Sequence, residues 1–180
     1  MIDQRITFLG AGNMANAIIR GLIRSGEKPS NITATVKREE KKVELEQTHG
    51  IKVGFDNVAA ARDADIVVLA VKPQAMDKLL TQIAPVIDAK KLVISVAAGV
   101  PIAAIERRFG SGARIVRAMP NTPALVGLGA TAVSGGEHAT PADLELAKKM
   151  FDAVGTTYVL DEVLLDAVTG LSGSGPAYIF

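Results

Sequence analysis

Hydrophobic and polar positions along the first 120 residues follow a repeating pattern that predicts buried strands alternating with helices. Short apolar runs, typical of strands buried on both faces of a sheet, recur six times. These runs lie at residues 6–9, 32–36, 51–53, 65–71, 92–96 and 114–119. Helices are predicted over 13–24, 39–49, 57–62, 75–84 and 101–109. The alternation predicts an α/β fold, a doubly wound and mostly parallel sheet with right-handed crossovers.

The pattern changes beyond residue 120. Residues 129–134 and 156–160 are strand-like and flank a helical stretch over 140–153, so we expect them to extend the sheet edge with antiparallel pairing. Residues 161–171 are predicted to be helical, and a glycine- and serine-rich turn then leads to a helix start at Pro176. We therefore expect one α/β domain over 1–160 and the start of an all-α domain over 161–180, cut inside a new element.

Some local details of two helices are also predicted. Asn57 is expected to cap the helix over 57–62. In the helix over 39–49, Val43 and Leu45 are expected to face the core, and Gly50 is expected to end the helix.

Composition and charge exclude several classes of function. The formal net charge of +1 argues against nonspecific binding to nucleic acid or to an anionic membrane. The absence of cysteine excludes disulfides, thiolate nucleophiles and cysteine–zinc sites. His49 and His138 lie far apart in the sequence and are interpreted as surface or turn residues, so no metal site is predicted. Without a membrane-length apolar run or a signal sequence, the chain is expected to be cytoplasmic.

The segment GAGNMA, residues 10–15, matches the G-x-G-x-x-A motif between a predicted strand and a predicted helix. Gly10 would make the tight turn, and Gly12 would let a pyrophosphate touch the backbone. Asn13 and Met14 open the helix, whose N-terminal N–H groups and positive dipole end attract an anion. This context predicts dinucleotide binding.

The end of the second predicted strand favours NADP over NAD. Thr35 is followed by Lys37 and Arg38, with no acidic residue before the two cations. An NAD site needs a carboxylate here for the ribose hydroxyls, whereas these three side chains could hold a 2′-phosphate. Glu39 and Glu40 keep the NAD interpretation open, with NADH as the weaker alternative.

Two loops at the ends of later strands are further candidates for cofactor contacts, because ligands of such sheets bind beyond the carboxyl ends of the strands. Small residues in the second loop would let a nicotinamide ring lie close. The alternative interpretation of each loop is an ordinary strand-to-helix connection. The predicted contact residues of the two loops are Ala70, Val71, Lys72, Pro73, Ala97 and Gly99.

Two more segments are candidates for substrate binding. Prolines stiffen RAMPNTP, residues 117–123, which follows the sixth predicted strand. Residues 170–176, GLSGSGP, offer N–H groups and hydroxyls that suit a carboxylate. A stiff connector and a flexible linker are the respective alternatives. The predicted substrate residues are Met119, Pro120, Asn121, Thr122, Ser172, Gly173, Ser174 and Gly175.

Five ordered motifs together resemble the pyrroline-5-carboxylate reductase family. They are FLGAGNMA, AVKPQ, SVAAGV, RAMPNTPALVGLGATA and TGLSGSGPAY, which span residues 8–178. The resemblance implies a Rossmann-like NADP-binding domain over 1–160 and a helical dimerisation and substrate domain of which 161–180 is the truncated start. It also implies a homo-oligomer when full length, with substrate held between one subunit's nucleotide domain and its partner's helical domain. Cofactor contacts by the GAGNMA turn, Thr35, Asn57 and the AVKP loop are implied as well, with substrate near MPNT and SGSGP.

The resemblance further implies that NADPH delivers hydride to the C=N carbon of 1-pyrroline-5-carboxylate and yields L-proline, the last step of proline biosynthesis. A protonated imine is already electrophilic, and the candidate loops contain no histidine and no isolated acid. Catalysis is therefore expected to rest on orientation, with Lys72, Asn121 and Ser174 as orienting residues. Two alternatives remain: a related imine or 2-keto acid reductase, and a non-catalytic NADP-binding sensor module.

Overall fold

The computed structural model describes residues 2–110 and 112–175. Within them the strands are β1 (Ile6–Leu9), β2 (Ile32–Thr35), β3 (Lys52–Gly54), β4 (Ile66–Leu69), β5 (Leu92–Ser95), β6 (Arg114–Met119), β7 (Gly129–Gly135) and β8 (Gly155–Val159). They form one sheet in the order β3-β2-β1-β4-β5-β6-β7-β8. Neighbours are parallel except for β6 and β7. The predicted mostly parallel sheet and its extension at this edge are confirmed, but the expected antiparallel pairing holds only for β7, because β8 runs parallel to β7.

The helices also follow the predicted order. They are α1 (Asn13–Arg24), α2 (Glu39–His49), α3 (Asn57–Arg62), α4 (Pro73–Ile83), α5 (Ile102–Phe109), α6 (Pro141–Asp152) and α7 (Leu165–Val168). One apolar layer packs α1, α2 and α6 on one face of the sheet, and a second layer packs α3, α4 and α5 on the other. This is the doubly wound arrangement that the alternating pattern predicts. In the described part of the chain, none of the helices has the length and apolar character needed to cross a bilayer.

Two predicted details of the helices are wrong. Asp56, and not Asn57, caps α3, because its Oδ1 accepts hydrogen bonds from the N–H groups of Val58 and Ala59. Val43 is 41% exposed, because α2 buries only Leu45 in the core. The predicted end of α2 is confirmed, because Gly50 adopts a left-handed conformation there.

The predicted helix over 161–171 is confirmed as a continuous helical run over residues 162–173, but it is irregular, because its hydrogen-bonding pattern changes twice. A 3₁₀ turn (Glu162–Leu164) precedes α7, and a π-helical turn (Thr169–Gly173) follows it. Glycines at 170 and 173 weaken a regular helix at this point. The predicted helix start at Pro176 lies outside the described residues. The division at residue 160 falls between β8 and the 3₁₀ turn, and it stays a prediction.

The sheet order places a crevice between β1 and β4. The chain passes from β1 to β2 and β3 on one side and then returns to β4 on the other side of β1. At such a reversal the connections leave the carboxyl ends of neighbouring strands in opposite directions, which opens a space for a ligand.

An ion pair joins β1 to β4 at the opposite end of these strands. Asp65 accepts hydrogen bonds from the Arg5 side chain at 2.8 and 3.0 Å and from the Arg5 backbone N–H at 2.9 Å. Hydrogen bonding to the Arg5 guanidinium lowers the pKa of Asp65 to about 2.

Asp65→Asn should lower the Tm at pH 7 by about 1–3 °C, because the pair lies at the surface. The depressed pKa stabilises the fold fully above pH 4, and this contribution is lost as the pH falls toward 2. Thermal unfolding from pH 7 to pH 2 should therefore show the wild-type advantage shrinking below pH 4. Asp63→Asn, two residues away, is the matched control. An advantage that persists at pH 2 would contradict the assignment.

His49, which the sequence indicates as a surface or turn residue, lies at the helix end before Gly50 and also contacts a second helix. It ends α2, is partly buried, and its Nε2 lies 2.6 Å from Asn16 Oδ1 on α1. Burial, followed by the nearby Arg20 and Lys41, lowers the pKa of His49. The contact ties together the two helices that begin at the ends of β1 and β2.

Candidate active site

A cavity of about 510 Å³ lies beyond the carboxyl ends of β1, β2 and β4. Nine of the predicted cofactor residues line it: Gly10, Gly12, Thr35, Lys37, Arg38, Asn57, Ala70, Val71 and Lys72. These residues come from four separate connections, which meet because the carboxyl ends of parallel strands share one edge of a sheet.

The glycine turn has two glycines with different roles. Gly10 has a φ of +90°, and a Cβ there would lie 2.8 Å from the Ala70 carbonyl oxygen, so a side chain is excluded. Gly12 has an ordinary φ of −76°, and a Cβ there would meet no atom within 4 Å. No side chain caps the first turn of α1, and no acidic residue lies in it. The glycine turn therefore leaves open space beside the N-terminus of α1, where an anion is favoured.

A hydrogen-bonded chain holds the glycine turn against the ends of β2 and α3. Thr35 is 2% exposed, and its hydroxyl accepts from Gly10 N–H at 3.1 Å and donates to Asn57 Oδ1 at 2.7 Å. Asn57 Nδ2 in turn donates to Gln82 Oε1 at 3.3 Å. The Thr35 hydroxyl donates its one hydrogen to Asn57, so in this arrangement it positions the glycine turn. Lys37 and Arg38 are then the remaining predicted donors to a 2′-phosphate.

The charge of the cavity wall is entirely positive. Among the residues that the structure describes, Lys37, Arg38, Lys41 and Lys72 line the cavity, and no carboxylate does. Lys41 pairs with Glu44 at 2.7 Å. In residues 2–110 and 112–175, no carboxylate lies within 4.0 Å of the other three cations. This wall suits a ligand with several negative charges.

Five predicted cofactor residues do not line the cavity. Asn13 and Met14 begin α1, and Pro73 begins α4, so they adjoin the wall without forming it. Ala97 is 4% exposed and packs in the apolar layer with α4 and α5, and its contact with the cofactor stays a prediction. Gly99 is exposed in the same loop with a φ of +70°.

The two predicted substrate segments meet at the end of β6. Asn121 Nδ2 donates to Ser172 Oγ at 2.9 Å, and Asn121 Oδ1 accepts from Ala130 N–H at 2.9 Å. Met119 Cε lies 2.9 Å from the position of a Cβ at Gly173, so a side chain there would displace the methionine. The two segments are therefore neighbours in the fold, and substrate binding at them stays a prediction.

The remaining residues of these segments flank that contact. Pro120 is buried and Thr122 is exposed at the start of a 3₁₀ turn (Thr122–Val126). Ser174 donates its N–H to the Thr169 carbonyl oxygen at 2.8 Å, which closes the π-helical turn, and Gly175 has open space around its Cα.

Sequence reasoning missed several residues of the cavity. Lys41 lies in the first turn of α2, and Gln74 and Ala75 lie in the first turn of α4. Phe55, which directly follows β3, is 51% exposed at the wall. The signal for all four was position, since each follows a strand whose carboxyl end was predicted to face the crevice.

Comparisons with known proteins agree with this geometry. Residues 5–99 match the family described as NADP oxidoreductase coenzyme F420-dependent. The chain is 46% identical to the pyrroline-5-carboxylate reductase of Methanosarcina acetivorans over 181 residues, which cover 100% of this chain and 67% of that protein.

Two solved structures are similar over almost the whole chain. A pyrroline-5-carboxylate reductase from Coxiella burnetii superposes with a TM-score of 0.94 at 39% identity and covers 98% of this chain and 66% of its own. The Plasmodium falciparum pyrroline carboxylate reductase with NADP bound has a TM-score of 0.88 at 30% identity, with 99% and 66% covered. The chain spans about two thirds of the length of these relatives.

Proposed function

The chain belongs to the pyrroline-5-carboxylate reductase family, and we propose that the intact protein reduces 1-pyrroline-5-carboxylate to L-proline with NADPH. The resemblance predicted from the five motifs is thereby confirmed at the level of family. The observation that carries the proposal for this chain is the cavity at the switch point, which has a glycine turn, four cations and no carboxylate.

The residues present fit NADPH. The open space at Gly12, above the uncapped first turn of α1, suits the diphosphate. Lys37 and Arg38 lie at the end of β2, where a ribose 2′-phosphate is held in folds of this kind. Phe55 exposes a ring face against which a flat base can pack. Lys72 is a further cation of the cavity wall and could donate to a phosphate or to a ribose hydroxyl.

The chain's own residues are suited to orienting the reactants. NADPH, when bound, supplies the hydride. Ser172 Oγ accepts its hydrogen bond from Asn121, which leaves the hydroxyl hydrogen free to donate to a substrate carboxylate. The predicted substrate segments, residues 117–123 and 170–176, contain no histidine and no acidic residue, so we expect a protonated imine to react through alignment and not through a strong side-chain acid.

The test is turnover of the intact protein with NADPH. Loss of reduced nicotinamide should depend on 1-pyrroline-5-carboxylate, match the proline formed, and be absent with open-chain 2-keto acids. NADH should support the reaction less well. Tight NADPH binding without turnover would favour the sensor module, and turnover of keto acids would favour the related reductase; either result would overturn the proposal.

Three further expectations accompany this proposal. The cytoplasmic location, the homo-oligomer and the helical dimerisation domain beginning near residue 161 remain predictions that follow from the sequence and the family.

A further inference from the structure

We propose that Arg117 is a positioning residue that holds the segment 162–173 against the loops following β5 and β6, and so sets the geometry of the substrate end of the site. The inference rests on the proposed function, because it concerns the same site. Its first support is that Arg117 is only 3% exposed although it carries a charge. A buried guanidinium is costly unless it is paired.

The partners of Arg117 come from the segment that follows the sheet. Its Nη1 donates to Glu162 Oε1 and its Nη2 to Asp166 Oδ1, both at 3.1 Å. The Asp166 side chain is 83% exposed and the Glu162 side chain 31%, so Glu162 is the more strongly interacting partner. Arginine reaches the two carboxylates through two separate nitrogens of a rigid planar group, a geometry that the single ammonium of lysine does not reproduce.

Glu162 also reaches a third element. Its Oε1 accepts from Ile102 N–H, the first residue of α5, at 2.8 Å. Pro101 precedes α5 and supplies no side-chain cap, so the Glu162 carboxylate satisfies an otherwise uncapped helix start. One oxygen therefore joins β6, the start of α5 after the β5 loop, and the 3₁₀ turn.

The far end of the segment depends on these anchors because the segment itself is weakly built. It consists of a 3₁₀ turn, a four-residue α7 and a π-helical turn. Together they make one short, irregular helical run, and helices of this length are marginal by themselves in water. Leu165 is fully buried, whereas Val163 and Leu171 are more than 80% exposed. The Arg117 pairs at one end and the Asn121–Ser172 bond at the other fix where the turn lies.

Arg114 provides a matched control on the same strand. It pairs with Asp143 at 2.7 Å and donates to the Ala89 carbonyl oxygen at 3.1 Å, at the amino end of β6 and away from the segment. Arg114→Met thus removes a partly buried, ion-paired arginine from β6 without changing the contacts of Glu162.

The experiment compares Arg117→Met, Arg117→Lys and Arg114→Met in the intact protein. Arg117→Met should raise the KM for 1-pyrroline-5-carboxylate on the order of tenfold while the Kd of NADPH changes less than twofold, because misplacement affects the substrate end alone. Arg117→Lys should recover part of the loss. Arg114→Met should lower Tm but leave both constants unchanged. Equal effects of Arg117→Met on substrate and NADPH would overturn the proposal, as would no effect on either.

Glu162→Gln guards against a failure of Arg117→Met to fold. The glutamine amide can still accept from Ile102 N–H, so this variant should raise the KM for 1-pyrroline-5-carboxylate less than Arg117→Met does. The double variant with Arg117→Lys should show less than the sum of the two single effects on the free energy, because both changes weaken the same contact. Hydrogen exchange of residues 162–174 separates this inference from the proposed function. These amides should exchange faster in Arg117→Lys than in wild type whether or not the wild type proves to be a reductase. Unchanged exchange would overturn the positioning role alone.

Discussion

Replacing Gly12 with valine should raise the Kd of NADPH about 100-fold while the protein stays folded. The substitution is sterically free, because a Cβ at Gly12 would meet no atom within 4 Å and the φ of −76° suits any residue. The added side chain would occupy the space that a diphosphate needs to reach the N–H groups of α1. Loss of charge-assisted hydrogen bonds worth roughly 1.5–3 kcal/mol each supports a change of this size.

The measurement is titration of nicotinamide fluorescence, with Tm as the check on folding. Gly54→Val is the matched control, since Gly54 also has open space at its Cβ position but lies outside the cavity. Gly10→Ala would be a poor choice, because the Ala70 carbonyl oxygen would lie within 2.8 Å of the new methyl group and the φ is +90°. If Gly12→Val bound NADPH as tightly as wild type, the diphosphate could not lie at the glycine turn.

Changing Lys37 and Arg38 together to glutamine should abolish the preference for NADPH over NADH. The two cofactors differ only in the 2′-phosphate, so the ratio of their Kd values isolates the group that holds it. Two charge-assisted hydrogen bonds would be lost, which predicts a rise in the Kd of NADPH of about 100-fold and little change for NADH. Neither cation has a carboxylate partner among the described residues, so the substitutions break no internal ion pair.

A double change elsewhere tests whether net charge alone explains the effect. Lys78→Gln with Lys90→Gln removes the same two charges from exposed positions outside the cavity. That control should leave the NADPH-to-NADH ratio unchanged within about twofold, because solvent and salt screen exposed charges that do not contact the ligand. Equal losses for NADPH and NADH in the Lys37 and Arg38 variant would place the 2′-phosphate elsewhere, with Lys41 and Lys72 the next candidates.

Residues whose role depends on the local backbone were predicted well. Gly10 and Gly12 occupy the strand-to-helix junction that the G-x-G-x-x-A spacing predicts, and Gly50 ends α2. Residues whose role depends on what lies across the fold were predicted poorly. Val43 was expected to face the core and is 41% exposed, and Gln82, which accepts a hydrogen bond from Asn57, carried no signal in the sequence.

The sequence alone determined the strands, the helices, the glycine turn and the membership of a family, because hydrophobic period and backbone preference are set by near neighbours in the chain. Only the tertiary structure decided which side chains share a wall or a hydrogen bond. Thr35 was a candidate ligand residue by sequence, yet its hydroxyl is held by Gly10 and Asn57, 25 and 22 residues away. Arg117 and Glu162 are separated by 45 residues, and Asn121 and Ser172 by 51. Such pairs form only after the sheet has brought distant loops to one edge, and no local period encodes them.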